Sequence, residues 1–532
     1  MSARHSGRAL RLAEPFPRKQ EKEPESPERR GIRKETEREV YRMRSGGILM
    51  HLTSLPSPGG IGDLGKEAYA FADFLQASGM KIWQVLPVGP TGYGESPYQS
   101  TSAFAGNPLL ISLPLLREQG LLDYRDEEIF TPADPERVDY DAVRKNKTEL
   151  LRRAFRQSRE KTRAEAEAFR KENAWVSDFA LFSAVKSHFG EKMWSSWPDR
   201  GIRNRRLLSR LKYSRMLKDE TDFHVFCQML FTRQWLALKK YCNDRGILLF
   251  GDMPIYVAED SADTWTFPKV FQLDRNRIPE RVAGVPPDGF TEDGQMWGNP
   301  LYRWDYLKKK NYFWWVDRMK SMARLYDMVR IDHFIGFGHY YSIPYGAPNA
   351  RNGKWVDGPG RPLFETLRKA VPGIRIVAED LGEVNDQVLD LMEWTGYPGM
   401  KVMCFAFDGD ASNPHYPGHY KENMVLYTGT HDNDTVLGWV KRAKPKEAAF
   451  AGETLGFKTP EEAPAAFVKG VFSSIADTAV AQMQDILGLD NDARMNLPGT
   501  IGGNWVWRMK PGAATPEIAA RLMKLNRETG RA

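Results

Sequence analysis

The sequence predicts an α/β protein, a (β/α)8 TIM barrel with large helical and loop insertions, and three observations carry the prediction. Seven short apolar runs recur along the chain: 47–52 (GILMHL), 81–87 (KIWQVLP), 247–254 (ILLFGDMP), 328–333 (MVRIDH), 375–380 (RIVAED), 400–405 (MKVMCF) and 424–430 (MVLYTGT). Continuous runs of this length fit strands buried on both faces of a parallel sheet. Most end in polar residues, as barrel strands do where they open on a site, and helical patterns at 67–78 and 364–370 separate several of them. An eighth strand is expected near 495–498 or 504–508. The competing doubly wound sheet lacks its G-x-G-x-x-G after a first strand.

Taken in order, residues 1–44 alternate Arg, Glu and Pro with little to bury, so they cannot offset the entropy of ordering and read as a disordered charged tail. Met43 stands just before the first apolar run and is a second possible start of translation. Residues 45–532 are expected to form the barrel domain. About 160 residues separate the second and third runs, which predicts a largely helical insertion at about 90–245. A second insertion, at about 255–327 and rich in Trp, Gly and Pro, is expected to wall the site, as loops at barrel strand ends do. The basic run 144–170 reads as a solvated helix face.

Charge and composition remove several function classes. The 76 Lys/Arg against 69 Asp/Glu give +7, but residues 1–45 hold 13 of the cations and 8 of the acids, leaving a body of 63 against 61. A body so near neutrality has no broad field for phosphate backbones, and no nucleic-acid motif or Walker loop accompanies it. The three cysteines, Cys227, Cys242 and Cys404, lack both a disulfide framework and metal-ligand spacing, which fits free thiols in a reducing cytoplasm. No apolar run approaches the ~20 residues of a membrane helix, and the N-terminus lacks a signal-peptide core. The expectation is a cytoplasmic protein, a monomer or weak homodimer, with neither nucleic-acid nor membrane partners.

Three carboxylates end three of the runs: Asp332 in V-R-I-D-H-F, Glu379 in V-A-E-D-L-G and Asp432 in T-G-T-H-D-N-D. In a barrel they converge on one mouth, where crowded acids separate in pKa and can serve as nucleophile and as acid/base in glycoside chemistry. Arg330, two residues before Asp332, shares its side of the strand and is expected to hold Asp332 ionised. A single acid at a strand end is more often a cap or an ion-pair partner, which is the reading for Asp380 and Asp434. His431 with Asp432 and Asp434 could hold a metal, but contacts to sugar hydroxyls are the preferred reading. The loops 92–100 (GYGESPYQS) and 286–300 (PPDGFTEDGQMWGNP) offer Tyr, Trp, Gln, Asp and Ser for stacking on sugar rings and bonding hydroxyls.

At these residues the chain resembles 4-alpha-glucanotransferases of the amylomaltase or disproportionating-enzyme type, relatives of alpha-amylases. The resemblance rests on S-L-P-S-P-G-G-I-G-D-L-G (54–65), S-P-Y-Q-S-x-S-A-F-A-G-N-P (96–108), G-D-M-P-I-Y-V (251–257), the 286–300 loop, R-I-D-H-F (330–334), A-E-D-L-G (378–382), T-H-D-N-D (430–434) and N-L-P-G-T (496–500). It implies a barrel without a separate C-terminal β domain. It implies Asp332 as nucleophile, Glu379 as acid/base and Asp432 as transition-state stabiliser. It further implies Tyr98, Asp252, Arg330 and His431 as contacts to the transferred sugar, and Asp288, Gln295 and Trp297 in the loop over the acceptor. Tyr93, with Tyr140 as its partner, matches a second glucan groove. The implied substrates are alpha-1,4-glucans and malto-oligosaccharides, with no cofactor and no metal. An alpha-amylase-like hydrolase and a noncatalytic glucan-binding protein on the same scaffold remain as alternatives.

Overall fold

The computed structural model describes residues 44–532 apart from Tyr93, residues 288–290 and Glu383. The tail reading and the assignments to Tyr93 and Asp288 therefore concern residues outside those described. Eight parallel strands form one sheet: β1 (Ser45–Leu49), β2 (Ile82–Gln84), β3 (Leu248–Met253), β4 (Met328–Ile331), β5 (Arg375–Ala378), β6 (Gly399–Val402), β7 (Met424–Tyr427) and β8 (Thr478–Gln482). Their spatial order is β6-β7-β8-β1-β2-β3-β4-β5, the chain order read cyclically. The two ends of that series meet where the Ala378 N–H donates to the Pro398 carbonyl at 2.9 Å, closing the barrel. The seven predicted runs all supply strands, because Val, Ile, Leu and Met are buried here on both faces.

The eighth strand is not where the sequence reading put it. It is T-A-V-A-Q at Thr478–Gln482, paired with both β7 and β1. Its alanines lie between the helices Ala463–Ser473 and Met483–Ile486, so the stretch reads as more helix. Residues 495–498 and 504–508 instead form irregular chain. Met495, Trp505 and Trp507 are buried there, but Gly499, Gly502 and Gly503, all at positive φ, turn the backbone away from any strand.

The insertion between β2 and β3 carries helices at Tyr140–Glu172, Trp175–His188, Leu207–Met216 and Lys218–Asn243. Two glutamines of the last helix fasten the preceding loop by mimicking strand pairing. Gln228 exchanges two 2.8 Å bonds with the Gly106 main chain, and Gln234 does the same with Ser112 at 2.8 and 3.1 Å. Gly106 must be glycine, since a Cβ there would lie 2.0 Å from the Phe231 ring. The basic run is more than a solvated face. Lys147 is buried against Asp63 at 3.3 Å, and Arg152, Arg159 and Arg170 pair with Glu220, Asp219 and Asp222 of the neighbouring helix. A four-stranded antiparallel sheet, ordered Gln295–Pro300, Arg281–Val285, His339–Pro344, Lys354–Asp357, stands beside the barrel mouth.

The chain's end locks the opposite side of the barrel. Arg531 is fully buried and donates to five carbonyls, those of Ser45, Phe472, Ser474, Ala476 and Asp477, at 2.7 to 3.3 Å. It thereby ties β1 to the turn before β8, and burial, with Arg44 adding repulsion, brings its pKa down to about 10. Arg531→Ala removes one donor from each of these carbonyls, although Ser474 keeps Arg44 Nη2 and Asp477 keeps the Ser45 N–H; a loss of about 3 kcal/mol is expected, read as a lower midpoint in denaturant. An unchanged midpoint would mean the seam holds without this residue.

Candidate active site

The predicted residues come together because their strands end at one mouth. Asp252 lies in β3 and Arg330 in β4. Asp332 follows β4 directly, Glu379 follows β5, and His431 and Asp432 lie just beyond β7. Arg330 is the centre. Its Nη1 donates to both oxygens of Asp252 at 2.9 and 2.8 Å and forms an ion pair with Asp332 Oδ1 at 2.9 Å. The Tyr98 hydroxyl donates to Asp252 Oδ2 at 2.8 Å, and its ring stacks on His431 with centroids 4.9 Å apart. Trp505 closes on both rings at 6.0 and 5.8 Å.

The electrostatics differ from the expectation for Asp332. Arg330 does pull its pKa down, but burial pushes harder, with Asp252 and Glu379 adding repulsion, and the outcome is a rise to about 6. Asp332 is thus mainly ionised at neutral pH with little margin. Asp252 is raised too, again by burial first. Tyr98 is held well above the usual phenol range by burial and by Asp252, so it keeps the proton it donates. His431 is lowered by burial, which outweighs its neighbour Asp432, and is neutral.

Both oxygens of Glu379 accept main-chain hydrogens at 2.7 Å, Oε2 from His333 and Oε1 from Leu381. The His333 donor is available because that residue takes the left-handed region, φ 51°, directly after Asp332. Such a conformation costs energy in a non-glycine residue and is held by its surroundings. Here the Glu379 carboxylate and the bond from Phe334 N to Glu379 O at 3.0 Å do so. The His333 ring meets Trp297 edge-on at 4.9 Å. Trp297 Nε1 in turn donates to Gln295 at 3.1 Å, and Gln99 of the 92–100 loop bonds Asn299 at 3.1 Å, so the two predicted loops are one connected wall.

Asp432 is reached from the far end of the chain. Asn496 Nδ2 donates to its Oδ1 at 2.6 Å, and His431 Nε2 stands 3.4 Å from the same oxygen. Asp434 turns instead to Arg494 and Arg442, and Asp380 to the Met400 N–H and Lys401, as structural carboxylates do. Asp485, which the sequence reading missed, is buried with its pKa raised to about 6 by that burial. It holds both ends of the segment bearing His431 and Asp432, accepting from Thr428 Oγ1 at 2.6 Å and from Val436 N at 2.7 Å. Only its being an acid within the short buried helix Met483–Ile486 marks it in the sequence. Tyr140 is buried with Ile61, Leu109, Val138 and Val143, and its hydroxyl donates to the Trp505 carbonyl at 2.9 Å.

A family model described as 4-alpha-glucanotransferase matches residues 50–515. The 4-alpha-glucanotransferase of Clostridium butyricum is 45% identical over 490 residues, 91% of this chain and 100% of that protein. That of Thermus thermophilus is 46% identical over 501 residues, 92% and 99% of the two chains. Among solved structures, an amylomaltase from Streptococcus agalactiae in complex with acarbose aligns with TM-score 0.90 at 40% identity, covering 92% of this chain and all of that one.

The raised pKa of Asp332 has a consequence for stability. The folded chain holds that proton more tightly than the unfolded one, so the stabilisation is complete below the unfolded range near about 4 and lost as pH rises through about 6. Above that, ionised Asp332 is a cost. Asp332→Asn, neutral throughout and able to accept from Arg330, is expected to melt above the wild type near neutral pH. The difference should shrink as the melts are repeated toward pH ~4. A lower midpoint at neutral pH would show that the Arg330 attraction outweighs burial.

Proposed function

The chain belongs to the 4-alpha-glucanotransferase family, and we propose that Asp332, Glu379 and Asp432 perform its reaction. The enzyme transfers alpha-1,4-glucan segments from a donor to the 4-hydroxyl of an acceptor glucan or glucose. The observation that carries the residue assignment is the convergence of Asp332, Glu379 and Asp432 at the ends of β4, β5 and β7, with Arg330 paired to Asp332 and Asp252 at the same mouth.

In this reading Asp332 attacks the anomeric carbon as Glu379 protonates the departing glycosidic oxygen. A covalent glycosyl ester results, with the shortened chain released. The acceptor 4-hydroxyl then gives its proton to Glu379 and displaces Asp332, restoring the alpha configuration. Each Glu379 oxygen accepts one main-chain hydrogen and keeps a second lone pair on which that proton can be carried, and the loop bearing Gln295 and Trp297 reaches it through His333. Asp432, Asp252, Arg330, His431 and Tyr98 contact the sugar at the cleavage point. Because the substrate is neutral, these contacts are hydrogen bonds and ring faces. Transfer prevails over hydrolysis when an acceptor bound against Trp297 is better placed than water. The enzyme acts as a monomer or weak homodimer in a reducing, cytoplasmic setting, consistent with three buried free thiols. No described helix is long and apolar enough to cross a membrane.

Incubation with maltotriose separates the readings. Transfer yields glucose together with a ladder of longer glucans, whereas glucose and maltose alone would sink it in favour of hydrolysis. Asp332→Asn and Glu379→Gln are each expected to lose several orders of magnitude in kcat/KM. The acid limb of kcat/KM should lie near the Asp332 pKa of about 6. Arg330→Met removes the group that lowers that pKa and should move the limb upward. A limb left in place would detach it from Asp332.

A further inference from the structure

Two residues outside the mouth converge on the segment that bears Asp432. Arg494 spreads one guanidinium over three acceptors: Nε donates to the Asn496 carbonyl at 2.7 Å, Nη2 to the Asp432 carbonyl at 2.5 Å, and Nη1 to the Asp434 carboxylate. Asn496 adds its side-chain bond to Asp432 Oδ1 at 2.6 Å and a main-chain bond to the His431 carbonyl at 3.0 Å. The Arg494 side chain is only 17% exposed, against 44% for Asp432. One partner is therefore fixed inside the protein while the other faces the mouth. Among the described residues, Asp432 Oδ2 has no hydrogen-bond partner of its own.

We propose that Arg494 and Asn496 are positioning residues that set the height and rotation of the Asp432 carboxylate at the transferred sugar. This rests on the reading of Asp432 given above. The planar fork of Arg494 is what the task needs, because it holds the backbone carbonyl of Asp432 and the side chain two residues on at fixed separation. A lysine keeps the charge but reaches only one or two of the three acceptors. Asn496 acts at the carboxylate itself, fixing Oδ1 and leaving Oδ2 for the substrate. Neither residue needs to touch the sugar. Loss of either lets Asp432 wander by fractions of an ångström, and displacement of that order at a reacting centre carries a cost in turnover rather than in binding.

The test is a double-mutant cycle between Arg494→Lys and Asp432→Asn, followed by release of 4-nitrophenol from a 4-nitrophenyl malto-oligoside and by maltotriose disproportionation. Arg494→Lys is expected to lower kcat by about 10- to 100-fold with KM little changed. It should have almost no further effect once Asp432→Asn is present. Asn496→Ala, which removes the side-chain amide and keeps the main-chain bond to His431, should show the same pattern more mildly and serves if Arg494→Lys does not fold. A merely structural role predicts instead that activity falls in step with the melting temperature. Wild-type kcat in both variants, or the same fold-loss with and without Asp432→Asn, would overturn the proposal. If Asp432→Asn itself turns over like the wild type, the assignment of Asp432 fails, and the proposal with it.

Discussion

One buried guanidinium, that of Arg330, underlies the electrostatics of the mouth. It serves Asp252 and Asp332 together. Asp252 is fully buried and Asp332 partly so, and without Arg330 they would repel one another and take up protons, because burial penalises each charge. With Arg330 between them the pair carries a single net negative charge, and its own ionisation is secured by the acids that it secures. The compensation is partial. Burial still raises Asp332 to about 6, so the group that must attack as an anion is ionised with little to spare. A weakly solvated carboxylate near its titration point makes a reactive nucleophile and a poor structural element, as expected of a site that trades stability for chemistry.

The neighbouring groups follow from that centre. Asp252 needs a second donor and receives the Tyr98 hydroxyl, which fixes the Tyr98 ring. The ring in turn stacks on His431, and the burial this produces keeps the imidazole neutral. A charged imidazole there would compete with Arg330 for Asp332. Each carboxylate is also held from outside its own strand: Asp432 by Arg494 and Asn496, Glu379 by the left-handed turn at His333, and the His431–Asp432 segment by Asp485. The strands set the directions, and irregular chain from distant parts of the sequence sets the final positions.

That division explains what was legible in the sequence. Val, Ile and Leu runs marked seven strands because a parallel barrel strand must be apolar on both faces. The eighth was hidden because small residues at Ala479 and Ala481 suit a strand that packs tightly between β7 and β1 and equally suit a helix. The alternation that puts Arg330 beside Asp332 is a local fact and was readable. The direction of the Asp332 shift was not, since it depends on burial contributed by loops hundreds of residues away. Tyr140 shows the same limit, since no local pattern marks its contacts with Ile61, Leu109 and the Trp505 carbonyl.

The cations of Tyr140–Glu172 lie within reach of the acids that open Lys218–Asn243: Arg152 on Glu220, Arg159 on Asp219 and Asp222, Arg170 on Asp222. Three cations of the basic run are thus matched by a neighbouring helix start, where carboxylates are also favoured by the helix dipole, and Arg144, Lys147 and Arg153 pair with Glu95, Asp63 and Glu128 elsewhere. A chain whose body balances its charges pair by pair offers a sugar polymer no field, and none is required. Selection among neutral glucans then falls to directional donors and ring faces, which depend on position far more steeply than on charge. For that reason the mouth invests three separate clamps in holding its carboxylates still.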